Sequence, residues 1–269
     1  MEVVQATVEQ DQNVRLNWFP SSNPLVMLVF LERSLNKVDW DLIAQFSPGV
    51  TTFADATTLV HEQSYYYRLS YLDSCGDVSA LSNLGRSILL EANLQGNAPF
   101  LSWNSYTEWE VAVDHYEIEV FDSSIMQWQF VSNVAGNELE FADHITRLDQ
   151  PIYCYRTRGI ELAGNQSFSL SNVACVPVGP LLFAPNAFTP NGDGMNETFF
   201  LKGRFVADYY FRMFNRWGEL IFESSSLEDG WDGTLHGKPS PEGVYVWVAI
   251  GRGFDGSEIS LRGTATLYR

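Results

Sequence analysis

Cationic side chains are scarce in this sequence of 269 residues: 16 Lys and Arg stand against 33 Asp and Glu, a formal net charge of −17. An acidic surface of this kind repels phosphate backbones and anionic lipid, so neither nucleic-acid binding nor direct membrane insertion is expected. No run of about 18 apolar residues occurs, which excludes an ordinary transmembrane helix. The opening Met1-Glu2-Val3-Val4-Gln5 has neither the basic start nor the apolar stretch of a secretory leader. The three cysteines, Cys75, Cys154 and Cys175, leave one unpaired in any intramolecular scheme. The four histidines, His61, His115, His144 and His236, show no metal-ligand spacing. There is no Gly-x-Ser-x-Gly elbow, and no phosphate-binding glycine loop ahead of a helix. Carboxylates are numerous enough for a glycosidase pair, but β-sandwich repeats seldom offer the deep cleft such a pair needs. No catalysis is expected within these residues.

What is present reads as globular: 45% hydrophobic, 18% charged and 14% aromatic residues. The charge is uneven, with net values of −6 over 1–91, −8 over 92–178 and −3 over 179–269. No long segment follows a helical period. Val14, Leu16 and Trp18 alternate with polar Arg15 and Asn17, as do Tyr116, Ile118 and Val120 with Glu117 and Glu119. That is the period of half-buried strands.

Residues 1–178 repeat internally. Phe53-Ala54-Asp55 returns as Phe141-Ala142-Asp143, and Tyr65-Tyr66-Tyr67-Arg68 as Tyr153-Cys154-Tyr155-Arg156. Trp40 returns as Trp128, Leu81-Ser82-Asn83 as Leu170-Ser171-Asn172, and Leu16-Asn17-Trp18 as Leu101-Ser102-Trp103. A unit of about 90 residues built of short strands implies a sandwich of about seven strands. The early Trp, the late Tyr-x-Tyr-Arg strand and the closing Ser-Asn strand resemble fibronectin type III modules, with domains expected at 1–91 and 92–178. The linker Val176-Pro177-Val178-Gly179-Pro180 ends the repeat region, since its prolines interrupt strand pairing.

Residues 179–269 do not continue the repeat. Tyr209–Phe214, Glu219–Phe222, Val244–Ile250 and Thr264–Tyr268 are rich in aromatic and β-branched residues, so another sandwich is expected. The whole chain is then all-β, three tandem β-sandwiches of immunoglobulin or fibronectin III-like type. Five spaced blocks punctuate this segment: Pro185 to Gly194 (Pro-Asn-Ala-Phe-Thr-Pro-Asn-Gly-Asp-Gly), Phe214-Asn215-Arg216-Trp217-Gly218, Gly230-Trp231-Asp232-Gly233-Thr234, Gly243-Val244-Tyr245 and the closing Gly263 to Arg269. Together they resemble the gliding-motility-associated C-terminal domain of Bacteroidetes, the type B sorting domain of the type IX secretion system. One departure is Asn196-Glu197, where the family commonly has Asn-Asp.

The resemblance implies a folded label read by the type IX translocon, including an outer-membrane barrel protein. It also implies a product that is secreted or held at the cell surface. Residues 1–269 are then expected to be the tail of a longer protein. The motif residues expected to define the fold or the recognised surface are Asn186, Phe188, Pro190, Asn191, Gly192, Asp193, Gly194, Asn215, Arg216, Trp217, Gly218, Trp231, Asp232, Gly233, Gly243, Tyr245 and Arg269. By residue type alone, Trp217 and Trp231 read as core side chains and Arg216 as half of an ion pair. Asn191, Asp193, Asn196 and Glu197 form an oxygen-rich loop. A calcium ion would take them as ligands, whereas side-chain-capped glycine turns would need no ion. No other cofactor is implied.

If the last hairpin of the second repeat turns at Gly164-Asn165, facing residues sum to 329, and Cys154 lies opposite Cys175. In the first repeat the equivalent facing pair is Tyr66 and Ser87. Two buried thiols would fit the same placement, but the oxidising compartment implied by the resemblance favours a disulfide. The repeats themselves are read as a spacer stalk or, alternatively, as an adhesin or carbohydrate-binding module contacting a glycan or surface ligand through Trp109 or Trp128. A planar strip of exposed Trp and Tyr would favour binding.

Overall fold

The computed structural model describes residues 1–269 except 96–97, 107–111, 145–149, 163–166 and 255. Among the described residues every regular element is a strand, and no helix is long and apolar enough to cross a membrane. The chain divides into two compact units, one of Met1–Arg147 with Ile152–Val176, the other of Leu148–Pro151 with Pro177–Arg269.

The first sandwich is built from β1 (Glu2–Glu9), β2 (Asn13–Phe19), β3 (Val26–Ser34), β4 (Asp41–Phe46), β5 (Thr52–Asp55), β6 (Tyr66–Asp73) and β7 (Gly85–Arg86). They form one sheet in the order β1-β2-β5 and a second in the order β4-β3-β6-β7. The alternation read in β2 is the alternation of burial: Val14, Leu16 and Trp18 enter a core with Val29, Leu31, Tyr67 and Leu69.

The second sandwich repeats that order with β8 (Leu90–Gln95), β9 (Ala98–Trp103), β10 (Val113–Asp122), β11 (Gln127–Ala135), β12 (Glu140–Ala142), β13 (Ile152–Glu161), β14 (Phe168–Leu170) and β15 (Ala174–Pro177). Its sheets run β12-β9-β8 and β11-β10-β13-β14, with β15 also on β13. Trp103 packs edge-on against Tyr116 at 5.4 Å between buried strands.

The sequence repeats correspond to repeated interactions. Tyr67 donates its hydroxyl to Asp55 at 3.1 Å, and Tyr155 donates to Asp143 at 2.8 Å, so each Phe-Ala-Asp strand is tied to the opposite sheet. Arg68 pairs with Glu32 and stacks on Trp40 at 3.9 Å; Arg156 pairs with Glu119 and stacks on Trp128 at 4.3 Å. In the first repeat the Tyr65 hydroxyl accepts the Leu59 N–H at 2.9 Å, a corner that fixes the entry to β6.

The two repeats are bonded to each other through β1 and β14. The Ser169 hydroxyl donates to the Ala6 carbonyl at 2.7 Å, the Leu170 N–H donates to Thr7 Oγ1 at 2.8 Å, and the Tyr106 hydroxyl accepts the Ala6 N–H at 3.1 Å. Gln5 adds a bond to the Phe168 carbonyl, and Asp11 accepts the Val173 N–H at 2.7 Å. Ala6, Thr7, Ser169 and Tyr106 are buried as a result.

Two registers differ from the sequence expectation. On β13 and β14, Arg158 faces Leu170 and Gly159 faces Ser169, so facing pairs sum to 328. Yet Cys154 and Cys175 are joined, with Cα atoms 4.0 Å apart. The chain therefore slips by one residue between β14 and β15, around Asn172, whose side chain bonds elsewhere. In the first repeat Tyr66 faces Arg86, not Ser87, and the Ser87 hydroxyl instead accepts the Tyr65 N–H at 3.0 Å. The turn at Gly164-Asn165 lies outside the described residues. Cys75 is exposed and free, in a turn where Asp73 Oδ1 accepts its N–H at 2.9 Å.

The C-terminal unit holds β16 (Leu181–Phe183), β17 (Ala187–Phe188), β18 (Lys202–Arg204), β19 (Val206–Phe214), β20 (Leu220–Ser224), β21 (Thr234–Leu235), β22 (Lys238–Pro239), β23 (Gly243–Gly253) and β24 (Glu258–Leu267). Its main sheet runs β17-β24-β23-β19-β20, with β17 parallel to β24. The pairs β16-β18 and β21-β22, and a bridge between Phe199 and Trp231, cover one face. Phe188, Phe199, Phe211, Trp231, Tyr245 and Trp247 fill the core between them.

Candidate recognition site

The five motif blocks are far apart in sequence, and the fold brings residues of each to one end of the C-terminal domain. Trp231 is the centre. It is 1% exposed, donates its indole N–H to the Thr234 carbonyl at 2.8 Å, and meets Tyr245 edge-on at 4.6 Å and Phe188 at 5.3 Å. Phe188 belongs to the first block, and its carbonyl accepts the Tyr268 N–H at 3.2 Å from the last. Asn186 is exposed, and its carbonyl accepts the Thr266 N–H at 2.9 Å. Tyr245 donates its hydroxyl to the Pro241 carbonyl at 2.6 Å, closing the turn that precedes Gly243 and β23.

Arg269 locks the blocks together. Its guanidinium donates to the Ser240 carbonyl at 2.6 Å and the Gly233 carbonyl at 2.9 Å, while its backbone N–H donates to Glu242 at 2.9 Å. Asp232 accepts the N–H and hydroxyl of Thr234 at 2.9 and 2.8 Å. Gly233 must be glycine for two reasons: its φ is +78°, and a Cβ there would lie 2.9 Å from Pro190 Cγ and 3.4 Å from the Arg269 guanidinium.

The oxygen-rich loop is closed on itself. Asn191 Oδ1 accepts the Asp193 N–H at 3.0 Å, Asp193 Oδ1 accepts the Met195 N–H at 2.8 Å, and Glu197 accepts the Gly194 N–H at 2.9 Å. Asn196 contributes its carbonyl, which accepts the Thr189 N–H at 2.9 Å. Gly192 and Gly194 take positive φ to allow these turns. Among the described residues no group of three or more His, Cys, Asp or Glu side chains converges as metal ligands. The geometry is that of side-chain-capped turns.

The Asn215 block behaves differently. Asn215 Oδ1 accepts the N–H of Trp217 at 2.9 Å and of Glu219 at 3.0 Å, and its Nδ2 donates to Glu219 at 2.8 Å. With Gly218 at φ +79°, this network fixes the hairpin between β19 and β20. The hairpin holds Trp217 out: it is 84% exposed. The core position expected for a tryptophan is therefore not taken by Trp217, because its Cα lies at the tip of a two-strand turn with no layer above it. Arg216 is exposed beside it, and among the described residues no ion pair or hydrogen bond engages its guanidinium, so the expected ion pair is absent. Both side chains line a cleft of about 350 Å3 shared with Pro241, Glu242, Val244 and Tyr245. Sequence reading missed Ser240 and Glu242 as anchors and Phe199, fully buried against Trp231 and Phe188, as a core residue. Only the adjacency of Ser240 and Glu242 to the Gly243 block hinted at their part.

In the repeats, Trp128 is covered by Arg156 on one face and met edge-on by Phe121 at 5.4 Å. Trp40 is covered by Arg68. Trp18 and Trp103 are buried, and Trp109 lies outside the described residues. Among the described residues of 1–178 no Trp or Tyr is a large exposed side chain, so no planar aromatic strip is formed.

Comparison with known proteins gives one family match: the CHU_C type IX secretion signal domain, over residues 182–256. No curated protein matches the chain. Similar solved structures include the FN1–FN3 domains of chicken CNTN1, at 10% identity and TM-score 0.27, covering 98% of this chain and 97% of that one. A tetra-tandem repeat in the extending region of a large adhesion protein is similar at 14% identity and TM-score 0.28, over 99% of this chain and 73% of that one. A two-domain fibronectin type III segment of chicken tenascin is similar at 14% identity and TM-score 0.27, over 65% and 94%. The strand order of the two repeats carries their assignment independently of these scores. Residues 182–256 match the type IX secretion signal domain family, and the two sandwiches before them share a fibronectin type III-like strand order.

Proposed function

We propose that this chain is the C-terminal region of a large secreted or surface protein of Bacteroidetes, exported by a type IX translocon that includes an outer-membrane barrel protein. Residues 179–269 act as the sorting signal, of the gliding-motility-associated type B kind. The domains 1–91 and 92–178 act as a spacer stalk without catalytic activity. The observation that carries this reading is the gathering of the family's motif blocks at one end of the domain, around Trp231 and Arg269. They build a shaped surface there, its loops tied through the Trp231 indole and the Arg269 guanidinium. A label needs a surface that is the same on every passenger, and rigid loops tied by buried aromatics supply one.

The spacer role is supported by the bonded junction of the two repeats and by the covered aromatic faces of Trp40 and Trp128. The adhesin alternative needs an accessible aromatic or polar platform, and the described surface of the repeats favours it less.

The test is export. Residues 179–269, and separately 1–269, are fused behind a fluorescent protein directed to the periplasm of a type IX-competent bacterium and of a translocon-deficient strain. Fluorescence outside the competent strain alone is the expected result. Periplasmic retention of both fusions in both strains would overturn the sorting role and return the adhesin reading to first place.

A further inference from the structure

Of the four aromatic side chains Phe188, Trp217, Trp231 and Tyr245, Trp217 is the one held out of the core. Phe188, Trp231 and Tyr245 are buried, whereas Trp217 is 84% exposed. The turn does not depend on its indole, because Asn215 and Gly218 form the hairpin through side-chain and backbone bonds. The neighbouring Arg216 is exposed and uncompensated among the described residues. Glu242, the acid of the same cleft, is engaged by the Arg269 N–H at 2.9 Å. Trp and Arg are the residue types most enriched where protein partners make their strongest contacts.

The cleft is small, about 350 Å3, and the aliphatic face of Val244, 55% exposed, continues into Val246, 45% exposed, on the outer side of β23. It is shaped for one or two side chains of a loop, with an apolar wall, an aromatic lid and a single free guanidinium.

We propose that the cleft between the Trp217 hairpin and the Pro241–Tyr245 turn is the face of the sorting domain that the translocon reads. Its occupant is a loop of the receiving protein that carries a carboxylate beside an apolar side chain. The carboxylate pairs with Arg216, whose planar fork suits two parallel bonds to one carboxylate. The apolar side chain lies between Trp217 and Val244. This inference rests on the sorting role proposed above.

The experiment uses the full chain, residues 1–269, behind the periplasm-directed fluorescent protein, with the variants Trp217→Ala, Arg216→Glu and Arg216→Lys. Urea unfolding of each purified chain checks that the fold is kept; Arg216→Glu serves if Trp217→Ala alters it. The expected result is wild-type export from the competent strain, at least tenfold less external fluorescence for W217A and R216E, and a three- to tenfold loss for R216K, which keeps the charge but not the fork. Export of W217A and R216E within twofold of wild type would overturn the assignment of this face while leaving the sorting role intact. Retention of the wild-type chain itself would remove the sorting role and this inference with it. Sedimentation of the wild-type chain with phosphatidylglycerol vesicles, abolished by W217A, would also overturn the proposal, since the occupant would then be a lipid surface.

Discussion

Asn172 holds Leu90 by both of its backbone polar groups: its Oδ1 accepts the Leu90 N–H at 2.7 Å, and its Nδ2 donates to the Leu90 carbonyl at 3.0 Å. Asn83 does the same to Val3, at 2.7 and 2.8 Å. The preceding serines act in concert, Ser171 accepting the Thr157 N–H and Ser82 the Leu69 N–H. The Ser-Asn pair is thus a clamp that ties the first strand of each sandwich to its last segment. Each side chain replaces a ladder bond where the strand departs from regular pairing.

Asn172→Ala leaves two buried backbone groups of Leu90 without these partners. We predict a loss of about 2–3 kcal/mol in the stability of the second repeat. Urea unfolding of the full chain measures it, and a shift in midpoint with unchanged slope is the expected form. Asn83→Ala should act likewise on the first repeat.

The Cys154–Cys175 bond closes a loop with a sequence separation of 21. Chain-entropy reasoning gives a contribution of about 3 kcal/mol for a loop of this length. The double variant C154S/C175S should be less stable by that amount in guanidinium unfolding. Thiol titration of the native, unreduced protein should find one reactive group per chain, Cys75, which is exposed. Three reactive thiols would contradict the pairing.

Burial, and then the charge of Asp55, raises the Tyr67 hydroxyl well above the usual tyrosine range; burial, and then the hydrogen bond to Asp143, raises Tyr155 in the same direction. In the unfolded chain both ionise near pH ~10. Below that pH both states keep the proton, and stability does not change on this account. Above it only the unfolded state loses the proton, so stability falls as pH rises, by up to about 1.4 kcal/mol per pH unit for each tyrosine. Melting temperatures from pH 8 to 11 should show this alkaline decline. Tyr67→Phe and Tyr155→Phe should flatten it, even though each lowers stability at pH 8 by removing a hydrogen bond.

Gly233 and Gly218 separate backbone strain from crowding. Gly218→Ala adds a Cβ into open space at φ +79° and should cost about 1 kcal/mol. Gly233→Ala adds the contact with Pro190 at 2.9 Å and should cost the C-terminal domain clearly more, about 2–4 kcal/mol. Equal effects in thermal unfolding would show that the Arg269 cradle yields without penalty.

Much of the fold was legible because the repeat preserves interacting partners. Phe-Ala-Asp and Tyr-x-Tyr-Arg recur because Tyr67 binds Asp55 and Tyr155 binds Asp143. Trp40 and Trp128 recur because each lies under an arginine. The clamp role of Asn83 and Asn172 was not legible, since each bonds the backbone of a residue about eighty positions earlier, which leaves no side-chain signature there. The same side-chain bonds shift the last strand by one residue, which is why a simple hairpin sum misplaced β14. Strand β24 begins at Glu258, earlier than the aromatic and β-branched run from Thr264 implied, because one face of Glu258–Gly263 is exposed and polar. At the candidate site, the motif spacing marked blocks that the fold gathers at one end of the domain. It could not tell the buried Trp231 from the exposed Trp217, because both follow turn residues and precede glycine or an acid.

The disulfide also decides how tension would travel. A pull from the C-terminal domain enters the repeats through β15, the last strand of the second sandwich. A terminal strand on the edge of a sheet ordinarily peels, one ladder bond breaking after another. Here peeling would stop at Cys175, two residues inside the strand, where the force passes covalently into β13. Strand β13 lies between β10 and β14, so the whole sheet must be sheared at once. In a chain pulled from both ends, that bond would turn the weakest end of the two repeats into one of their stiffest points.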